Sequence, residues 1–237
     1  MISILVPTRA RPDSISRLWQ SIVHTAQNLA GIELSLYIDF DDVVSIERVK
    51  TLTSPQIKTI VGPRISLSEA WNVLSREATY DIHMQCGDDA VFRTKGWDSL
   101  VTQAFDQCPD KILFVYGKDG IQNERMGTLG FLHKNWIQTV GYFLPPFFYS
   151  DCTDLWLTDI AKHIKRVHYL PEMYIEHLHP AVGKSELDIT HQERLAKLKA
   201  EGPLRIYSAL KFKRREDAKK LYAFITAYSG KKKRLWG

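Results

Sequence analysis

The chain has 237 residues, 44% of them hydrophobic and 25% charged, which suits one large domain with appendages and a substantial buried core. Its three cysteines (Cys86, Cys108, Cys152) are widely spaced and form no CxxC pair, which argues against a disulfide framework or a thiolate zinc site and fits a reducing compartment. The net charge of +5 is uneven: residues 204–237 hold eleven Lys or Arg and two acids, whereas the remainder is slightly acidic, so body and tail are expected to meet different partners.

Too few apolar residues precede Pro7 for a signal peptide, and no apolar run approaches the ~18 residues of a membrane span, so the expected location is the cytoplasm. Residues 2–6 read as a strand buried on both faces, stopped by Pro7-Thr8-Arg9. Asp13 or Ser14 can cap a helix over 13–28 that turns Ile15, Leu18, Trp19, Ile22 and Val23 inward. A second strand over 33–38 ends in Asp39-Phe40-Asp41-Asp42, with Asp42 placed to cap a helix over 43–52, and a third strand covers 57–61. Ser66 or Ser68 caps a helix to about Ala78.

The fourth strand begins near Tyr80 and runs into Gly87-Asp88-Asp89. Carboxylates at the carboxyl end of such a strand face the ligand crevice of an open α/β sheet, although an Asp pair also suits a solvated turn. Hard oxygen ligands with no thiolate partner favour Mg²⁺ or Mn²⁺. A helix over 96–107 and a fifth strand over 111–116 complete a pattern that predicts a mainly parallel, doubly wound sheet through residue 116. Beyond it come a polar, mobile loop over 117–127, a strand over 128–133 and a short helix over 134–140. A helix over 151–166, capped at its start, precedes two short strands over 167–170 and 173–178. A polar helix over 185–201 stops at Gly202-Pro203, and an amphipathic helix over 216–228 lies between two basic clusters. The expected domains are 1–203, divided at 116, and a basic helical extension over 204–237.

Five pieces now stand in order: Pro7-Thr8-Arg9, Asp39-Phe40-Asp41-Asp42, GPRISLSEAWN, GDDAVF, and FFYSDCTDLWL with a later EHLHP. Together they resemble the nucleotide-sugar-dependent glycosyltransferases of the GT-A fold, most closely the large inverting family, over about residues 1–190. The resemblance implies a GT-A-like, mainly parallel α/β sheet with flanking helices. It also implies transfer of a sugar from a nucleoside diphosphate donor, taken as UDP-linked, to a hydroxyl acceptor with inversion, assisted by Mn²⁺ or Mg²⁺. Pro7, Thr8 and Arg9 would rim the nucleobase, and Asp39 or Asp41 would accept from the base or the ribose. Arg64 would clamp the diphosphate, Asn72 would bind the donor or brace the metal loop, and Lys184 would touch donor phosphates from a lid that includes Asp188. Asp88 and Asp89 fill the metal motif, but Gly87 occupies the place of its usual first acid. Asp89 is therefore taken as the metal ligand, joined by His177 or His179, with Asp88 on the ribose or a metal-bound water. Asp151 would be the base and Asp154 the last acid of its motif, with Cys152 replacing an acid between them.

The tail's Lys/Arg and aromatic residues (Phe212, Tyr222, Phe224, Tyr228, Trp236) fit a nucleic acid, an anionic membrane surface, or a solvated helix packed on the body. The acceptor classes considered are a glycan and a hydroxymethylated base in DNA. Rival readings are a sugar-phosphate nucleotidyltransferase, disfavoured because PTRARPDS has no phosphate-loop glycine, and a non-catalytic nucleic-acid or membrane module.

Overall fold

The buried strand expected over 2–6 is β1 (Ile2–Thr8), and it lies at the centre of the molecule with every residue buried. In the computed structural model, which describes residues 1–185 and 187–235, the chain continues through α1 (Pro12–Thr25), β2 (Ile32–Asp39), α2 (Val43–Thr51) and β3 (Ile57–Gly62). Then follow α3 (Leu67–Glu77), β4 (Ile82–Gln85), β5 (Ala90–Phe92), α4 (Trp97–Asp106), β6 (Phe114–Lys118), β7 (Gly130–His133) and α5 (Lys134–Val140). The last elements are α6 (Thr153–His163), β8 (Val167–His177), α7 (Ile189–Glu201), α8 (Pro203–Ala209) and α9 (Lys211–Leu235). Trp236 lies outside the described residues, as do the side chains of 231–235.

The strands form one eight-stranded sheet in the order β3-β2-β1-β4-β7-β6-β8-β5. β1 pairs in parallel with both β2 and β4, Ile4 lying beside Leu34 and Met84. The two faces of each strand feed two separate cores, as the two-residue side-chain period requires. Ile4, Val6, Leu36 and Phe131 pack against α1 and α4 on one side, whereas Leu5, Tyr37, Phe114 and Leu132 pack against α3, α5, α6 and α9 on the other.

The fifth strand keeps the parallel direction expected of it but not the expected neighbour. β6 does not lie beside β4, because β7 turns back between them and is antiparallel to both. Gly130 permits this insertion, since a Cβ there would collide with the Phe114 ring. β5, antiparallel to β8 at the sheet's far edge, had too short an apolar run to be read as a strand. The two strands expected over 167–178 are one strand that passes Pro171 because the β6–β8 register jumps from Gly117–Leu170 to Lys118–Tyr174. The region expected to be a mobile loop is organised around Asp119, whose carboxylate accepts from the backbone N–H groups of Ile121, Gln122 and Asn123 and from the Thr128 hydroxyl.

Capping by Ser66 and Asp42 follows the sequence reading, with Glu69 N–H and Ser45 N–H as their donors. α1 differs: Pro12 opens it, its N-cap is Arg11, and no side chain caps it. The tail helix begins earlier than expected and lies against α5 and α6, burying Ala218 and Leu221. Gly117 sits at the β6–β8 register jump, where a Cβ would strike the carbonyl oxygen of Met173. Gly117→Ala should therefore cost about 1–3 kcal/mol, read as a lowered urea midpoint with an unchanged slope.

Candidate functional site

A cavity of about 670 Å³ opens at the carboxyl ends of β1, β2 and β4. Pro7, Thr8, Arg9, Arg11, Asp39, Arg64, Asp88, Asp89, Asp151, Asp154, His177 and His179 all reach its wall. This is the crevice where a parallel sheet leaves strand ends unblocked, and polar groups from several elements converge there.

The two adjacent aspartates have different surroundings. One oxygen of Asp88 accepts from the Thr8 hydroxyl at 2.7 Å and the other from Arg11 Nη1 at 2.9 Å. Burial, only partly opposed by Arg11 and reinforced by the Asp89 charge, pushes the Asp88 carboxyl upward. Asp89 lies 3.3 Å from His177 Nε2. Burial pushes Asp89 up, but the hydrogen bond and charge of His177 outweigh it and hold the carboxyl below its ordinary value. The same pairing raises His177 against its own burial. A Cβ on Gly87 would come within 2.5 Å of Asp89 Oδ1, so the acid expected at that place would displace this carboxylate.

At the end of β2, Arg9 donates to Asp39 at 2.8 Å and grips Asp41 through both terminal nitrogens at 2.6 and 2.9 Å. Asp39 is raised by burial, which outweighs the charge of Arg9. Asp41 is 51% exposed and stands outside the cavity wall. Arg64 approaches Asp39 to 3.9 Å and is engaged by Glu193.

Besides Asp41, two residues assigned to the donor do not reach the cavity. Asn72 is buried on α3, where its carbonyl accepts from the N–H groups of Phe143 and Leu144 and its amide donates to the Leu144 carbonyl. It braces a loop, and every polar atom it has is used. Lys184 pairs with Glu176, which is also held by Arg93, outside the cavity wall.

α6 starts later than the sequence pattern indicated. Cys152, at φ 71°, is its N-cap and Thr153 its first residue, so Asp151 precedes the helix and caps nothing. Asp151 instead accepts from the Ser150 hydroxyl at 2.6 Å and from Arg194 at 3.1 Å to each oxygen. Asp154 also faces the cavity; it accepts from the Leu155 N–H and makes no ion pair among the described residues. Burial, with a contribution from the Asp151 charge, pushes Asp154 up to about 6.

α7 lies across the mouth. Its N-cap Asp188 takes two bonds from Arg11, at 2.7 and 2.9 Å, Thr190 donates to the Arg9 carbonyl, Glu193 holds Arg64, and Arg194 holds Asp151. Sequence reading missed Arg11, Arg194 and His191 as site residues. Each acts on a partner distant in the chain, and no local periodicity signals such a pairing.

The donor set suits a hard divalent cation in part. Asp89 offers a carboxylate and His177 an imidazole whose buried Nδ1 has no hydrogen-bond partner among the described residues, with the His179 ring 5.3 Å away. No three His, Cys, Asp or Glu among the described residues form a ready metal cage. Asp89 and His177 would leave most of a cation's coordination sphere to other oxygen donors.

No protein-family model matches the sequence, and no curated protein is significantly similar to it. Solved structures do match. TarS 1–349 from S. aureus in complex with UDP superposes with a TM-score of 0.59 at 12% identity over 74% of this chain and 60% of that one. The same fragment in complex with UDP-GlcNAc gives 0.58 at 13% over 75% and 59%, so the chain spans about 60% of the TarS fragment's length. The mannosyltransferase PcManGT from Pyrobaculum calidifontis in complex with GDP-Man and Mn²⁺ gives 0.60 at 13% over 96% of this chain and 86% of that one. These likenesses establish a GT-A-type fold, as the sequence motifs implied.

Arg11 neutralises the buried Asp88, and its loss would leave that charge without a cation. Arg11→Met should destabilise the protein by about 3–5 kcal/mol at pH 7 in urea unfolding. The deficit should narrow as pH falls, because a protonated Asp88 no longer needs a cation.

Proposed function

We propose that this chain is a glycosyltransferase that moves a sugar from a nucleoside diphosphate donor, UDP-linked, to a hydroxyl acceptor with inversion and with help from Mn²⁺ or Mg²⁺. The observation that carries the reading is the meeting of Asp39, Arg64, Asp89, His177 and Asp151 on one cavity at the sheet's carboxyl edge. The GT-A-type fold supports it, as do the UDP, UDP-GlcNAc and GDP-Man bound by the structural neighbours. The phosphate-loop glycine of a nucleotidyltransferase is missing between β1 and α1.

In this reading Pro7, Thr8 and Arg9 line the nucleobase end, and Asp39 accepts from the base or the ribose. Arg64 meets the diphosphate, and Asp89 with His177 and His179 would hold the cation. The cation, when bound, neutralises charge on the departing nucleoside diphosphate. Asp88 is engaged by Thr8 and Arg11 and takes no part in coordination. Asp151 receives the proton of the acceptor hydroxyl as its oxygen attacks the anomeric carbon opposite the leaving group. To do so it must part from Arg194. The acceptor is a glycan hydroxyl or the hydroxymethyl group of a DNA base, and the two are separable by direct assay.

A second reading of the base rests on Asp154, which lines the same cavity, lacks an ion-pair partner among the described residues and titrates near 6. A carboxyl with that value is better matched to proton transfer near neutrality.

A thermal-shift screen of UDP, GDP, CMP and dTDP sugars with and without Mn²⁺ tests the donor class, and a UDP-sugar should give the largest Mn²⁺-dependent rise. Asp89→Ala should abolish that metal dependence and lower donor hydrolysis more than about 100-fold, beyond the effect of removing a mere metal-site neighbour. Binding of a nucleotide with no turnover under any metal would leave a non-catalytic module instead. With Asp154 as base, the transfer rate should rise tenfold per pH unit up to about pH 6 and then level, and Asp154→Asn should remove that limb. Stability carries the opposite sign: the raised carboxyl favours the folded state below about pH 4 and loses that contribution through about pH 6, so Asp154→Asn should be the more stable protein at pH 7.

A further inference from the structure

The outer face of α9 has no counterpart in the proposed catalytic machinery. Its inner face is settled, with Ala218 and Leu221 in the core beside α6, Asp217 taking the Tyr142 hydroxyl, and Arg214 held by Asp159 and the Tyr207 carbonyl. At about 100° per residue, Lys211, Tyr222, Arg215, Lys219 and Phe212 fall within an arc of about 100° in the exposed half of the helix, beginning beside Ala218. Phe212 and Tyr222 are 66% and 64% exposed. They stand ten residues apart along the helix, about 15 Å. Lys211, Arg215 and Lys219 are exposed and make no ion pair among the described residues. The acid nearest the arc, Glu216, is turned toward Lys213 and Lys220 and bonded to both.

We propose that this arc of α9 docks the protein onto an anionic lipid bilayer surface, with Phe212 and Tyr222 in the headgroup–acyl boundary and Lys211, Arg215 and Lys219 at the lipid phosphates. Large apolar rings left in water between unpaired cations are the composition of an interfacial helix, since the cation stems lie along the boundary while their heads reach the headgroups. A duplex nucleic acid would use the cations and leave both rings in water. A second copy of the chain would bring one unpaired cationic arc against another. The sequence continues with Lys231, Lys232, Lys233 and Arg234 in the same helix, adding to the positive charge at that end. No helix among the described residues is long and apolar enough to cross a membrane, so the attachment proposed is peripheral.

Co-sedimentation of the full chain with vesicles of phosphatidylcholine alone, or containing phosphatidylglycerol, tests this. Expected is binding to the anionic vesicles that weakens with salt, falls roughly fivefold for each of Arg215→Gln and Lys219→Gln, and is also lost in the double variant Phe212→Ser, Tyr222→Ser. The substituted positions are exposed, and unchanged melting temperatures would show that the fold is kept. Absence of vesicle binding, equal binding to neutral vesicles, or full binding by the Phe212→Ser, Tyr222→Ser double variant would overturn the proposal. So would salt-sensitive retention of duplex DNA by a protein that ignores vesicles.

Discussion

A single partly buried guanidinium joins the parts of the site. Arg11 leaves the turn after β1, neutralises Asp88 just after β4, and turns Nε and Nη2 toward Asp188 and His191 at the start of α7. Desolvating Asp88 without a partner would be expensive, and the Thr8 hydroxyl and Arg11 together satisfy both of its oxygens. The sheet's carboxyl edge and the helix across the cavity are therefore positioned by the same side chain. One consequence is local: with both Asp88 oxygens engaged by Thr8 and Arg11, Asp89 is the member of the pair that meets His177.

The division between the two aspartates was partly legible in the sequence, because Gly87 removes the acid that would otherwise share a chelate with Asp89. The reason for it was not legible. Arg11 lies 77 residues from Asp88 and 177 from Asp188, and a hydrophobic period reports only which face of an element is turned inward. β1 and β2 were readable because they are dense in apolar residues up to Pro7 and Asp39, even with Ser3, Glu33 and Ser35 among them, and α2 and α3 because Asp42 and Ser66 announce their starts. The insertion of β7 was not, since antiparallel return depends on a bare Gly130 beneath the Phe114 ring, a contact made only once the sheet is assembled.

Motif spacing placed residues near the site more reliably than it told what they touch. Asn72, assigned by the resemblance to the donor or the metal loop, instead spends all its hydrogen-bonding capacity on the backbone of Phe143 and Leu144, outside the cavity wall. Asp151 reaches the cavity, yet from the turn before α6 rather than from the helix itself, because Cys152 takes a left-handed conformation that delays the helix start. That delay leaves Asp151 able to meet Arg194 of α7, and leaves Asp154 without an ionic partner among the described residues.

α7 also changes what it means for a ligand to enter. Glu193 already occupies Arg64, and Arg194 already occupies Asp151, so in the proposed reading a diphosphate or hydroxyl would compete with groups tethered to the same chain. Tethered groups act at effective concentrations on the order of millimolar, which a free ligand has to exceed or wait out. In that reading, filling of the cavity depends on exchange of these ion pairs as well as on the arrival of a ligand. Added salt, which ordinarily slows the capture of a charged ligand, would here loosen the seal at the same time.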